Sequence, residues 1–593
     1  MTVGTKTTDE TASQARTRVK PAGPPIRITA ATLDDPVANL ASDGFGGIVG
    51  KRARMPRTRS AIAFLLLLMT LASTAVGIGI RDPCFNSAWE GGGNQQYTHM
   101  CYSDIPYLFQ NHGFASRQTA YNSPVGYLEY QVVTGAAIQT AAVLAEHTGG
   151  GAKNQSRWFY VFTTWLLLVF AGIAVIALIG LAGPRPWDAA IFALAPGLML
   201  SGTINWDLIA VGLALVGLFA WARRKPVLAG VFIGLASATK LYPALLLVAL
   251  ILVCWRAGKM QAWALTAGGA VAAWVAVNLP FMIWHYSSWE YFFTFNQNRS
   301  ADWGSLWLLL QYSPMHLTFS ASRLDVIFTV LLALSCVAVG LLTWLARYRP
   351  RIAQVAFLIA AAFILFNKVY SPQYVLWLIP LAALARPRWR DFLIWQACEV
   401  LYYGGIWLYL VTFNGSNRGL PQPGYEIAIM IHMAGTIFMV VQVIRDMLDP
   451  RRDPVRVSGY DDPAGGVLDG AEDAYGFSDL YLFQPPQGAE AAEAGKGAAA
   501  QKADGKAKGK AGIRGKGKGK ADAKSEAEAQ GEAESATSMS AEGGVGGDGD
   551  SSGESAAAEA AGSETAVLLV EEAAVPEPDA DDEQTGRSSS ADD

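Results

Sequence analysis

Apolar residues in this 593-residue chain come in long unbroken runs, with none of the short alternation of a soluble fold. The runs Ile62 to Ile80, Trp158 to Ala182 and Ala262 to Ile283 are each long enough for a helix to cross roughly 30 Å of hydrocarbon at about 1.5 Å per residue. The pattern predicts spans at 62–80, 158–182, 187–203 and 205–222. Hairpin pairs follow at 226–239 with 241–256, 262–283 with 324–346, 352–366 with 373–386, and 391–413 with 424–445. That makes an all-α polytopic membrane protein of about twelve transmembrane helices. The segment 127–147 is apolar but carries Glu129, Gln131, Thr134 and Gln139. A crossing there would reverse the sidedness of everything after it, so it is expected to lie along the outer interface. The alternative is that it spans and the Pro196-containing run 187–203 does not.

Charge sets the orientation. Basic clusters at Arg223 to Lys225, Arg256 and Lys259, Arg347 to Arg351, Arg386 to Arg390 and Arg445 to Arg452 fall at alternate ends of the runs. By the positive-inside rule each faces the cytoplasm. The first run follows Lys51, Arg52, Arg54, Arg57 and Arg59 and reads as an uncleaved signal anchor. Residues 1–58 are expected to be a disordered cytoplasmic arm and 59–447 the transmembrane domain. Residues 448–593, rich in Ala, Gly, Lys, Glu, Asp and Ser, are expected to be a disordered cytoplasmic tail. Its basic block, Lys496 to Lys524, reads as part of a solvated polyampholyte within reach of anionic headgroups. The chain is thus placed in the cell (plasma) membrane as a multi-pass protein with both termini cytoplasmic. The formal net charge of −4 says nothing of partners, because the two signs are segregated.

Three of the five cysteines, Cys254, Cys336 and Cys398, fall in apolar runs and read as small buried hydrophobes. Cys84 and Cys101 flank a Gly- and Asn-rich stretch beyond the first span, on the side where disulfides persist, and are expected to pair. Gly44 to Lys51 only approaches a phosphate loop, with Phe45 where the first glycine belongs and Arg52 where Ser or Thr belongs. No His-Glu-x-x-His, Cys-x-x-Cys or strand-turn-helix Gly-x-Ser-x-Gly occurs, so metalloprotease and hydrolase classes lack support.

The predicted outer turns hold the candidate chemistry. They carry Asp104 in Cys101-Tyr-Ser-Asp, Asn205 and Asp207 in Asn-Trp-Asp, and Lys240 and Tyr242 in Lys-Leu-Tyr-Pro. They also carry Arg299 in Asn-Gln-Asn-Arg-Ser, and Lys368, Gln373 and Tyr374 in Lys-Val-Tyr-Ser-Pro-Gln-Tyr. Cations at a shallow polar cavity suit a phosphate on a lipid whose tail stays in the bilayer; the plain alternative is that each lysine snorkels to the headgroups. A carboxylate at position 104 above such a phosphate could take the proton of an attacking hydroxyl. His99 and His112 share its loop, but their spacing matches no ligand motif, so a divalent metal is unsupported. Tyr97, Tyr102, Trp206, Trp284, Trp289 and Trp303 read mostly as interfacial belt residues, with sugar stacking as the alternative.

The order of these motifs over residues 60–445, Tyr-Ser-Asp, Ile-Asn-Trp-Asp-Leu, Ala-Thr-Lys-Leu-Tyr-Pro, Ala-Asp-Trp-Gly-Ser-Leu-Trp and Phe-Asn-Lys-Val-Tyr-Ser-Pro-Gln-Tyr, resembles a known family. It is that of the bacterial polyprenol-phosphate-mannose-dependent α-mannosyltransferases of the GT-C superfamily, glycosyltransferase family 87. The resemblance implies inverting transfer of a hexose, mannose first, from a polyprenyl-phosphate sugar to a glycolipid or glycan acceptor of the cell envelope, on the extracytoplasmic face. Asp104 would be the general base, and Lys240, Lys368 and Arg299 would hold the donor phosphate. No nucleic acid is implied. A transporter or flippase for a lipid-linked solute is the alternative, and it predicts ionisable residues at mid-membrane depth. A tail-displaying scaffold would lose its function with residues 450–593, whereas a transferase is expected to keep it.

Overall fold

The computed structural model describes residues 35–44, 58–90, 94–121 and 127–475, and among these every regular element is helical. Residues 45–51 of the phosphate-loop near miss and the tail beyond 475 lie outside the described residues. Five helices are long and apolar enough to cross a membrane by length and composition: Arg59–Asn86, Ala152–Leu181, Met260–Trp284, Ala321–Leu345 and Gln422–Leu448. Shorter apolar helices lie between them, including Asp207–Ala222, Pro226–Ser237, Ile352–Phe366 and the 3-10 start that leads from Pro372 into Val375–Ala385. Trp389–Phe413 is 25 residues long but carries Arg390, Asp391, Gln396 and Glu399.

The run 187–203 does not form one helix. It breaks into Pro186–Ala189, Ala190–Ala193 and Pro196–Ser201. Pro196 lacks an N–H and sits in the first turn of the last piece, where a donor would be unpaired anyway. The contested segment gives a 15-residue helix, Val132–Glu146, about 22 Å long. Its start is tied to the 238–239 turn by Val133 N–H to Ala238 O (3.0 Å) and Thr134 Oγ1 to Thr239 O (2.8 Å).

Helices Pro226–Ser237 and Met260–Trp284 pack with their backbones nearly in contact. A Cβ on Gly230 would lie 2.0 Å from Thr266 O, and one on Gly234 2.2 Å from Ala270 O. Small residues four apart let two helices approach this closely where lipid supplies no hydrophobic drive. Gly234→Leu is therefore expected to cost about 1–3 kcal/mol or more by forcing the pair apart. Gly268→Leu, with nothing within 4 Å of its Cβ position, should be silent; thermal unfolding of the two purified variants is the comparison.

Two stretches assigned to the disordered ends from composition carry structure. Pro36–Gly44 is helical, begun by Asp35, whose carboxylate accepts from Val37 N–H (3.0 Å) and from Trp389 N–H (2.6 Å). Residues 449–475 lie against the basic ends of the helices. Asp453 pairs with Arg351 through Nε (2.7 Å) and Nη2 (2.9 Å), with neither side chain exposed by more than 2%. Asp473 reaches both Arg256 and Arg349 at 2.7 Å. Trp221 donates to Gly465 O (2.8 Å) and Arg185 to Ser458 Oγ (2.8 Å). Composition misses this segment because its order comes from arginines far away in sequence.

Candidate active site

The turns singled out by sequence gather at the opposite end of the bundle from these arginines. The structure joins Cys84 and Cys101 in a disulfide with Cα atoms 5.8 Å apart, which ties the end of the first long helix to the loop before Asp104. That loop is zipped to the 203–206 turn. Ser103 Oγ donates to Thr203 O (2.8 Å) and caps Ile105 N–H (3.3 Å), and Asp104 N–H donates to Ile204 O (2.9 Å). Asp104 therefore opens a short helix, Asp104–Asn111, with its backbone fixed.

The Asp104 carboxylate is half-buried and accepts from Asn205 Nδ2 at 2.7 Å. The same Asn205 amide donates to Tyr130 Oη (2.7 Å), and Asn205 Oδ1 accepts the Trp206 N–H (2.6 Å). Burial pushes the Asp104 carboxyl above the usual carboxylate range, opposed by hydrogen bonds from Asn205 and Tyr102 and by the nearby Lys240 charge. Lys240 Nζ lies 5.0 Å over the Tyr130 ring and 3.8 Å from Asp207 Oδ1. Asp207 is fully buried and accepts from Trp377 Nε1 (2.7 Å). The Trp377 indole is stacked between Tyr242 (4.4 Å) and Tyr374 (4.1 Å).

Tyr374 joins the two halves of the site: it stacks on Trp377, which donates to Asp207, and it follows residues 368–370, whose backbone is hydrogen-bonded to Asp302 and Trp303. Arg299 donates from Nε to Asp302 Oδ2 (2.7 Å) and keeps 32% of its side chain exposed. Lys368 is placed differently from what its resemblance to Lys240 suggests. Its ammonium meets Asn296 O (2.7 Å), Gln297 O (3.2 Å) and Asp325 Oδ1 (2.7 Å). Those contacts use its three donors and cap the end of the Tyr286–Asn298 helix. Gln373 is buried in the 3-10 turn before Tyr374.

The candidate residues thus fall into two groups. Asp104, Lys240, Arg299 and Tyr374 are partly exposed and can touch a substrate, whereas Asn205, Asp207, Tyr242, Lys368 and Gln373 are buried behind them. Sequence reasoning passed over Tyr130, Trp377 and Asp302. A signal for Asp302 was present: in Asn205-Trp206 and Asp302-Trp303 alike, the first side chain accepts the tryptophan N–H at 2.6 Å. Trp206 is fully buried against Tyr130 and Phe159, so it is a core residue and not part of an interfacial belt. His112 pairs with Glu129 at 3.3 Å, and His99 bonds Gln95 O and Thr98 within its own turn. Among the described residues no group of three or more His, Cys, Asp or Glu side chains could hold a metal ion.

These features describe a helical protein with five helices long and apolar enough to cross a membrane, and with Asp104, Lys240 and Arg299 on turns linked to one another at one end. Residues 140–367, a stretch that holds Lys240 and Arg299, match the family model of Glycosyltransferase family 87. GPI mannosyltransferase 1 of Kluyveromyces lactis is 26% identical over 235 residues, 37% of this chain and 58% of that protein. The chain thus spans somewhat over half the length of this curated relative. Among solved structures, ArnT from Cupriavidus metallidurans bound to undecaprenyl phosphate overlaps at 14% identity and TM-score 0.36, covering 65% of this chain and 78% of that one. The oligosaccharyltransferase AglB from Archaeoglobus fulgidus, in complex with an inhibitory peptide and a dolichol-phosphate, overlaps at 12% identity and TM-score 0.31, covering 65% and 56%.

Proposed function

We propose that this chain is a membrane glycosyltransferase that moves a hexose from a polyprenyl-phosphate donor to an envelope glycolipid or glycan on the extracytoplasmic face. The observation that carries the reading is the cluster of Asp104 and Lys240 about Asn205, Tyr130 and Asp207, with the Arg299 loop tied by backbone hydrogen bonds to residues 368–370 just ahead of Tyr374, in a chain whose middle matches a glycosyltransferase family. In this reaction the acceptor hydroxyl oxygen bonds to the anomeric carbon from the face opposite the phosphate. The bond from that carbon to the phosphate oxygen breaks, and the polyprenyl phosphate leaves with the electron pair. Asp104 takes the hydroxyl proton, while Lys240 and Arg299 meet the negative charge that grows on the departing phosphate. Asn205 and Tyr102 aim the carboxylate, and Asp207 steadies Lys240. Lys368 acts from behind, holding the end of the Tyr286–Asn298 helix just before Arg299. The name of the yeast relative makes mannose the first sugar to test.

The twelve-span arrangement belongs to the same proposal. It puts residues 104, 240, 299 and 374 outside, and 256, 351 and 453 inside with both termini. Labelling single cysteines introduced at 104 and 240 with an impermeant thiol reagent tests it. Reactivity of the two from opposite compartments would dismantle the site.

The direct assay gives purified protein a radiolabelled polyprenyl-phosphate mannose and a panel of envelope acceptors. Lys240→Met is expected to raise the donor KM by about tenfold or more, the size of a lost charge-assisted contact of roughly 1.5–3 kcal/mol. An unchanged KM would remove Lys240 from the phosphate site. One observation favours the transporter alternative: Glu399 and His432 are buried mid-helix, 3.6 Å apart. Movement of a lipid-linked sugar between vesicle leaflets without transfer would decide for it.

A further inference from the structure

The pair Glu399 and His432 has a placement that a transport residue does not need. His432 is fully buried, stacked on Tyr402 at 3.8 Å and beside Tyr370 at 4.1 Å. Its Nε2 lies 3.1 Å from Gly304 O, a carbonyl that can only accept, so the proton sits on that nitrogen. Its Nδ1 faces Glu399 Oε2 at 3.6 Å. The other Glu399 oxygen accepts from Trp395 Nε1 (3.0 Å), Tyr370 Oη (3.2 Å) and Thr436 Oγ1 (3.3 Å). The pair thus grips one backbone carbonyl at 304 and one side chain at 370.

Those two points lie on the loops that carry the basic wall of the site. Asp302 N–H donates to Lys368 O (2.9 Å) and Tyr370 N–H to Trp303 O (3.1 Å), which joins 299–304 to 368–374. Tyr402 Oη donates to Tyr370 O (3.2 Å) and Gly304 N–H to Tyr425 Oη (3.0 Å). Gly304 has φ +76°, and a Cβ there would lie 2.1 Å from Tyr402 Oη and 2.3 Å from Tyr370 O. The loop can therefore dock only as bare backbone. A purely apolar filling would pack this space without burying polar groups. The polar pair adds direction, fixing where the 299–304 loop ends and hence where Arg299 begins.

We infer that Glu399 and His432 are positioning residues that clamp the 299–304 and 368–374 loops so that Arg299 faces the donor phosphate. The consequence for donor binding rests on the transferase reading; the clamp itself does not. The test uses the full chain in lipid nanodiscs with His432→Leu, His432→Gln, Glu399→Leu and Glu399→Gln. Amide hydrogen exchange is expected to rise about tenfold in 299–305 and 368–371 in the leucine variants, the size of a lost buried hydrogen bond. Exchange in 101–104 and 203–206 should stay at wild-type rates. Donor KM is expected to rise by a similar factor with kcat within about threefold. The glutamine variants should recover most of both effects, because a glutamine amide can donate to Gly304 O or accept from Trp395.

A uniform rise in exchange, a fall in kcat at unchanged KM, or glutamine variants as impaired as leucine ones would overturn the clamp. So would loss of lipid-linked sugar movement across vesicles in Glu399→Gln. If the wild-type protein transfers no sugar while the exchange pattern holds, the transferase reading fails alone and the clamp stands.

Discussion

Asp104→Asn is expected to lower the kcat of sugar transfer by about 10²–10⁴-fold, the usual contribution of a positioned general base. Asparagine keeps the shape and the backbone bond to Ile204 O but cannot take a proton. Donor affinity is expected to hold, because Lys240 and Arg299 are untouched. Stability is also expected to hold or to rise slightly. Burial raises the carboxyl's pKa in the folded state, so above the unfolded value the charged carboxylate opposes folding, and a neutral amide removes that cost. The same direction sets the pH dependence in the wild type. Transfer should grow as pH rises through the raised Asp104 value, giving an acidic limb above the ordinary carboxylate range. Lys240→Met, which removes a charge that lowers that value, should move the limb to higher pH. Turnover by Asp104→Asn near the wild-type rate would end the assignment of the base.

A chain ending at Tyr475 is expected to unfold at the temperature of the whole protein, whereas one ending at Leu448 is expected to unfold at a markedly lower one. The shorter chain loses the partners of several buried or half-buried arginines, Asp453 of Arg351 and Asp473 of Arg256 and Arg349. Breaking one buried pair from one side costs about 3–5 kcal/mol. A fall of about 10 °C or more in the unfolding midpoint is expected for the shorter chain. Asp453→Ala alone should show much of it, since Arg351 keeps the Leu384 and Ala385 carbonyls (2.6 Å each) but loses its directly bonded carboxylate, leaving Asp462 and Asp446 to act on it without a hydrogen bond. Equal unfolding midpoints for the two truncations would show that the 449–475 segment contributes nothing. The expectation that a transferase tolerates loss of residues 450–593 must accordingly be tested with the cut placed after 475.

Much of the helical layout was legible in the sequence, because the membrane makes apolar length the dominant signal. The run 62–80 lies in Arg59–Asn86, 158–182 falls in Ala152–Leu181 except for its last residue, and 352–366 is reproduced residue for residue. The motif turns were legible too, as clusters of polar residues between runs that could not be helical core. Less legible was what each polar side chain does once there. Lys240 and Lys368 sit in similar words, Lys-Leu-Tyr-Pro and Lys-Val-Tyr-Ser-Pro. One stands over Tyr130 beside the site, while the other is used up on a helix end and Asp325. A short motif records spacing along the chain, and the difference comes from residues more than forty positions away from Lys368.

By itself the sequence determined a helical membrane protein, the places where its helices turn, and the small set of polar residues on those turns. Periodicity, apolar length and charge bias are local quantities that the bilayer acts on directly. Only the tertiary structure decided that Asn205 points at Asp104, that Trp377 holds Asp207, that Glu399 and His432 grip two loops, and that residues 449–475 answer the arginines. Each of these pairs partners a hundred or so residues apart or on different helices, and hydrogen bonds and ion pairs depend on ångström-scale geometry that no local pattern encodes.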